Sequence, residues 1–185
     1  MTVKEIIKNT ALIYGREDVV NYLNGSTIKG EDTLPTVNIL VGLLNLVVSE
    51  LAGTFIPMIK QETVTVTDGK IYYKDLSERI VRILNVYSVN GGETDYGTSV
   101  EFIRVKENSV IIEYEYVPPR YGLEDEIGYT EKDVTAAALS YGLCAEYAIS
   151  LSDFDQAVAW HNRYVDAISN LRKVKNVKIK GRAFV

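Results

Sequence analysis

The sequence predicts a mixed α+β fold: a helical bundle formed by the N- and C-terminal helices, an inserted antiparallel β-rich lobe, and an extended C-terminal tail. Three observations predict it. Apolar residues recur at three- and four-residue spacing near both ends of the 185-residue chain. Between them the period falls to two, with turn signals at Asp68-Gly69 and Asn90-Gly91. The last fourteen residues then carry six bases and no acid.

Taken in order, residues 3–14 set Val3, Ile6, Ile7, Ala11 and Tyr14 on one helical side, and Gly15 stops them. A short helix is expected over 17–23. The next runs from Leu34-Pro35 to Ala52, with Asp32 or Thr33 as N-cap, Pro35 in the first turn and Gly53 at its end. Thr63–Thr67 alternates strictly, Asp68-Gly69 is a hairpin turn, and Lys70–Tyr73 begins a return strand. Strands follow over 79–89, 100–105 and 109–117. In the last, Ile112, Tyr114 and Tyr116 face one way and Glu113 and Glu115 the other.

Pro118-Pro119 ends the sheet. Thr130 with Asp133 reads as a capping box for a helix over 131–150. Ser152 or Asp153 then caps a last helix through about Leu171, whose stripe includes Phe154, Ala157, Val158, His161, Tyr164, Val165 and Ile168. The expected domains are 1–53 with 130–171 (helical), 54–129 (β-rich) and 172–185 (tail).

Composition narrows the chemistry. One cysteine, Cys144, forms no internal disulfide, and one histidine, His161, excludes multi-histidine metal sites. Met1-Thr-Val-Lys-Glu lacks a signal-peptide pattern, and no uninterrupted apolar run reaches membrane-spanning length, so a soluble intracellular protein without membrane contact is expected. Phosphate-loop, zinc and nucleophile-elbow patterns are missing. Cys144 sits among small apolar residues, and His161 on an apolar stripe reads as a packed or partner-facing ring. Glu124, Asp125 and Glu126 lack the spacing of a calcium loop. No enzyme, catalytic residue, metal or cofactor is expected; a metal hydrolase on Glu124–Glu126 is the weakest alternative. Thirteen tyrosines against four phenylalanines fit either strand propensity or surfaces buried against a partner.

The net charge of −5 is unevenly distributed: without the six basic residues of 172–185, 14 bases face 25 acids, a net of −11. Such a tail is a solvated terminus, a nucleic-acid arm, or an arm that docks on an acidic neighbour. Val174, Val177 and Ile179 between the bases, and Phe184 and Val185 after Gly181, favour docking. A DNA-binding protein using the same tail is the alternative reading.

The short N-terminal helices, NILVGLLNLVVSELAGTFIPM (38–58), DGKIYYKDLSERIVRILNVYSVNG (68–91), VIIEYEYVPP (110–119) and ALSYGLCAEYAISLSDFDQAVAWHNRYVDAISNLRK (138–173) follow one another in a familiar layout. The most telling piece is AEYAI…A…W…RY…A, followed by a basic tail ending Gly-Arg-Ala-Phe. In this the chain resembles the head–tail connector (adaptor) proteins of tailed bacteriophages. The resemblance implies a structural virion protein at the head–tail junction, assembled in the host cytoplasm into a ring of twelve copies. Its partners would be the portal protein, the next tail or neck protein, and DNA passing through the channel during ejection without sequence-specific binding. Docking on the portal or a neighbouring subunit would fall to Arg172, Lys173, Lys175, Lys178, Ile179, Lys180, Arg182, Phe184 and Val185. Tyr72, Tyr73, Tyr114 and Tyr116 are the candidates for the tail-side interface.

Overall fold

Thr2 opens the first helix, α1 (Val3–Ile13), by accepting a hydrogen bond from the Glu5 amide at 3.2 Å, and Val3, Ile6, Ile7 and Ala11 line its buried side. In the computed structural model, which describes residues 1–27 and 30–175 with side chains through Leu171, four more helices follow. These are α2 (Glu17–Leu23), α3 (Thr33–Glu50), α4 (Ala136–Ser150) and α5 (Phe154–Lys175). Among the described residues there are also two three-stranded antiparallel sheets, so the fold is mixed α+β. Two compact units divide the chain: Met1–Val48 with Arg120 onward, and Ser49–Pro119.

In the first unit α1 packs on α2 and α4, and α4 on α5. Arg16, just before α2, forks onto Asp18 at 2.9 Å through both Nε and Nη2 and donates to Thr36 Oγ1 and Tyr147 Oη. The Thr33 hydroxyl donates to the same carboxylate at 2.8 Å, so one guanidinium ties the starts of α2 and α3 to α4. Gly142 of α4 lies where α3 and α5 approach: a Cβ there would stand 2.8 Å from Val47 Cγ1 and 3.1 Å from the Tyr164 ring. The backbone of 124–127 is stitched to the chain start, with the Val3 amide donating to Asp125 O and the Ile127 amide to Met1 O, each at 3.0 Å.

Three helix boundaries differ from expectation. α3 gives way after Glu50 to a π-helical turn over Leu51–Phe55, which runs through Gly53, the expected stop. Thr130 and Asp133 do interact, but the Thr130 hydroxyl donates to the Asp133 carboxylate at 2.7 Å instead of accepting from a backbone amide. That closes an isolated turn, and α4 starts only at Ala136, capped by Thr135. At the other end α5, capped by Asp153 accepting from the Gln156 amide, continues to Lys175, four residues beyond Leu171.

In the second unit one sheet has the order β1-β6-β3 (β1, Met58–Thr65; β3, Ile80–Ser88; β6, Ser109–Tyr116). The other has the order β2-β5-β4 (β2, Lys70–Tyr72; β4, Gly97–Thr98; β5, Phe102–Arg104). Between β1 and β2 the Asp68-Gly69 turn forms with φ of 52° and 68°, closed by paired Thr67–Lys70 hydrogen bonds. The expected hairpin ends there: β1 pairs with β6 and β2 with β5, so the chain passes from one sheet to the other at the turn. Ile71 and Ile103 from the small sheet meet Val86, Val110, Ile112 and Tyr114 from the large one in a shared core.

β1 also begins at Met58, five residues before the visible alternation. Its inward positions 60 and 62 are Lys and Glu, which hides the pattern. Lys60 pairs with Glu78 at 3.2 Å. The Glu62 carboxylate accepts from Tyr114 Oη at 2.8 Å and from the Ser77 amide and hydroxyl. Burial opposes ionisation of Glu62, but these hydrogen bonds prevail and hold its carboxyl below the ordinary value.

Candidate interaction surfaces

Among the described residues no group of three or more His, Cys, Asp or Glu is placed to hold a metal ion. Asp125 spends its carboxylate on the Gly122 amide at 2.7 Å, and Glu124 stands exposed beside Lys4. Cys144 is fully buried, and burial pushes its thiol up to about 11; such a thiol is a poor nucleophile. His161 is exposed on α5, its ring centroid 6.3 Å from that of Tyr164.

α3 supplies one surface. Val37, Leu40, Leu44, Val47 and Val48 are buried, yet Ile39 and Leu46 on the other side are 49% and 59% exposed. No charge interrupts the helix before Glu50. The sequence expectation counted only unbroken apolar runs. By length and mean hydropathy, however, the helical stretch Thr33–Phe55 is apolar enough to cross a membrane, a property it shares with core helices. A water-facing helix ordinarily turns a polar face outward; α3 sets Ile39 and Leu46 there beside Asn38, Gly42 and Ser49.

α5 supplies another. The stripe expected along it splits: Ala157, Tyr164 and Ile168 are buried, whereas Phe154 and Val158, one turn apart, are 65% and 61% exposed. Leu151 and Ile149 at the preceding turn are exposed too. Tyr14 holds the end of α1 against α4, its hydroxyl on Cys144 O at 3.0 Å and its ring edge-on to Tyr147 at 5.0 Å. Burial, with Asp153 nearby, pushes the Tyr14 phenol up to about 12. Leu12 and Ile13, at the end of α1, are exposed as well.

The four tyrosines singled out from the sequence have different environments. Tyr114 is wholly inside the core of the β unit and offers a partner no surface. Tyr116 is half-buried beside a shallow cleft of about 170 Å³ shared with exposed Val81 and Val117. Tyr73 is half-buried and donates to Ser99 O at 2.9 Å. Tyr72 lies on the outer side of the small sheet against Phe102, ring centroids 5.6 Å apart. Phe102, Lys70 and Arg104 beside it were not anticipated; the alternation Lys70-x-Tyr72 and Phe102-x-Arg104 was visible, but not the register that joins them. The tail candidates Lys178, Ile179, Lys180, Arg182, Phe184 and Val185 lie outside the described residues, and Arg172, Lys173 and Lys175 fall on the last turn of α5.

No protein-family model matches the chain, and no curated protein matches it.

Proposed function

We propose that the chain is a head–tail connector of a tailed bacteriophage, a non-enzymatic ring component between the portal and the tail or neck, through which DNA passes. In this reading the helices from both chain ends form a bundle, the β-rich unit is an inserted lobe, and 172–185 is the docking tail. The observation that carries it is the set of large apolar side chains left in solvent on α3 and at the start of α5: Ile39, Leu46, Phe154 and Val158 on a monomer would be an exposed liability, and a ring covers them. Ring interfaces join two different patches, and two separate apolar faces meet that need. The basic tail against an acidic remainder supports docking as well.

Electron microscopy of the purified protein, alone and mixed with the portal protein of its own phage, tests the reading. Rings on or under the portal are expected; separate monomers in both samples overturn it. Deleting 176–185 leaves α5 intact and is expected to weaken portal attachment. DNA binding that is steeply salt-dependent and vanishes with the tail would instead favour a DNA-binding protein.

A further inference from the structure

The outer face of the small sheet carries a charge arrangement that folding does not call for. Strand alternation turns Ile71 and Ile103 into the core and Lys70, Tyr72, Phe102 and Arg104 to the opposite side. The register sets Lys70 directly opposite Arg104, and Tyr72 opposite Phe102. Like charges facing across a ladder weaken it, and neither cation is in an ion pair among the described residues. Both lean on one ring instead: Lys70 Nζ is 5.0 Å and the Arg104 guanidinium 5.5 Å from the Phe102 centroid. Lys74 sits over Tyr72 at 5.5 Å. Two open grooves flank this strip, one of about 580 Å³ beside Asp68, Asp95 and Lys106, the other of about 420 Å³ beside Glu101 and Val100.

We infer that this cation-and-ring face docks on the acidic surface of a second copy of the chain, with Glu124-Asp125-Glu126 as its counterpart. The inference rests on the ring reading above, in which one copy presents this face and the next a different one. Arg and aromatic side chains anchor protein interfaces, and cations already held on rings lose less freedom on docking. The acidic run has its backbone fixed to Met1 and Val3; Glu124 pairs with Lys4 at 3.4 Å, Asp125 accepts from the Gly122 amide, and all three residues are exposed. A nucleic acid would meet the same cations, but Asp68, Asp95 and Glu101 beside the strip repel a continuous polyanion.

Two charge-swapped full-length proteins test it by sedimentation: Lys70→Glu with Arg104→Glu, and Glu124→Lys with Glu126→Lys. The unaltered chain is expected to self-associate at about 50 mM salt and about tenfold more weakly at about 500 mM. Each variant alone should stay monomeric. Their mixture should associate again, the two variants alternating because each surface of one meets opposite charge on the other, which also shows both to be folded. Variants that associate like the unaltered chain overturn the inference, as does an unaltered chain that stays monomeric; rings on the portal would still uphold the connector reading. No rings with portal, but renewed association in the mixture of the two variants, would uphold this contact and end that reading. Binding of a single strand of about 20 nucleotides, lost in the Lys70/Arg104 variant while the unaltered chain stays monomeric, overturns it in favour of nucleic acid.

Discussion

At Gly142 the absence of a side chain decides the approach of three helices. A methyl group there would press on Val47 and the Tyr164 ring, both buried. Gly142→Ala gains helix propensity but overpacks the core, so a net loss of about 1–3 kcal/mol is expected. Chemical denaturation measures it, and an unchanged midpoint would contradict the close packing. Cys144 gives a second test: under native conditions its thiol should react with a disulfide reagent only as fast as the unit opens. Asp18 gives a third. Its hydrogen bonds from Arg16, then Thr33, hold its carboxyl well below the ordinary range. A depressed carboxyl stabilises the fold above its unfolded value of about 3.9, and that contribution fades as pH falls further. Asp18→Asn should therefore cost about 1 kcal/mol at neutral pH, allowing for its partial exposure, and flatten the acid side of the stability profile below about pH 4. A profile as steep as that of the unaltered chain would remove Asp18 from the account.

At the scale of elements, the helices were largely legible because their apolar spacing matches burial: Val3, Ile6, Ile7 and Ala11 in α1 were read and are buried. The misses have local causes. Thr130 and Asp133 satisfy a capping pattern, yet their side chains bond to each other and the turn they close does not run on into α4, which starts at Ala136. The first half of β1 was unreadable because a lysine and a glutamate point inward, each satisfied by residues far along the chain. Which strand pairs with which is a long-range matter that a correct turn at Asp68-Gly69 does not reveal. For the candidate surfaces, an apolar stripe says that a residue prefers burial, not whether its own chain supplies the cover. Phe154 and Tyr164 looked alike in sequence for that reason. The inward glutamate has a measurable consequence. Tyr114→Phe removes a donor from the Glu62 carboxylate and should destabilise the β unit by about 1–3 kcal/mol in urea unfolding. No change would mean that Ser77 alone satisfies that carboxylate.

For the whole molecule, Phe154 and Val158 separate folding from assembly. Both side chains are mostly in water, so replacing both with Asp should leave the melting temperature within a few degrees. The same pair should abolish ring formation with the portal, as seen by electron microscopy. Rings that persist would show that the α5 face is not an interface.

The hydrogen bonds from Val3 to Asp125 and from Ile127 to Met1 also set a timetable for the newborn chain. α1 and α3 leave the ribosome early, yet the residues that lock and cover them follow only after the whole of Ser49–Pro119. At about 5–20 residues per second, that interval lasts several seconds. The β unit, continuous in the chain, can complete itself during the wait while the apolar α3 stays uncovered. The first half of the helical unit is therefore the stretch most in need of a holding chaperone during synthesis.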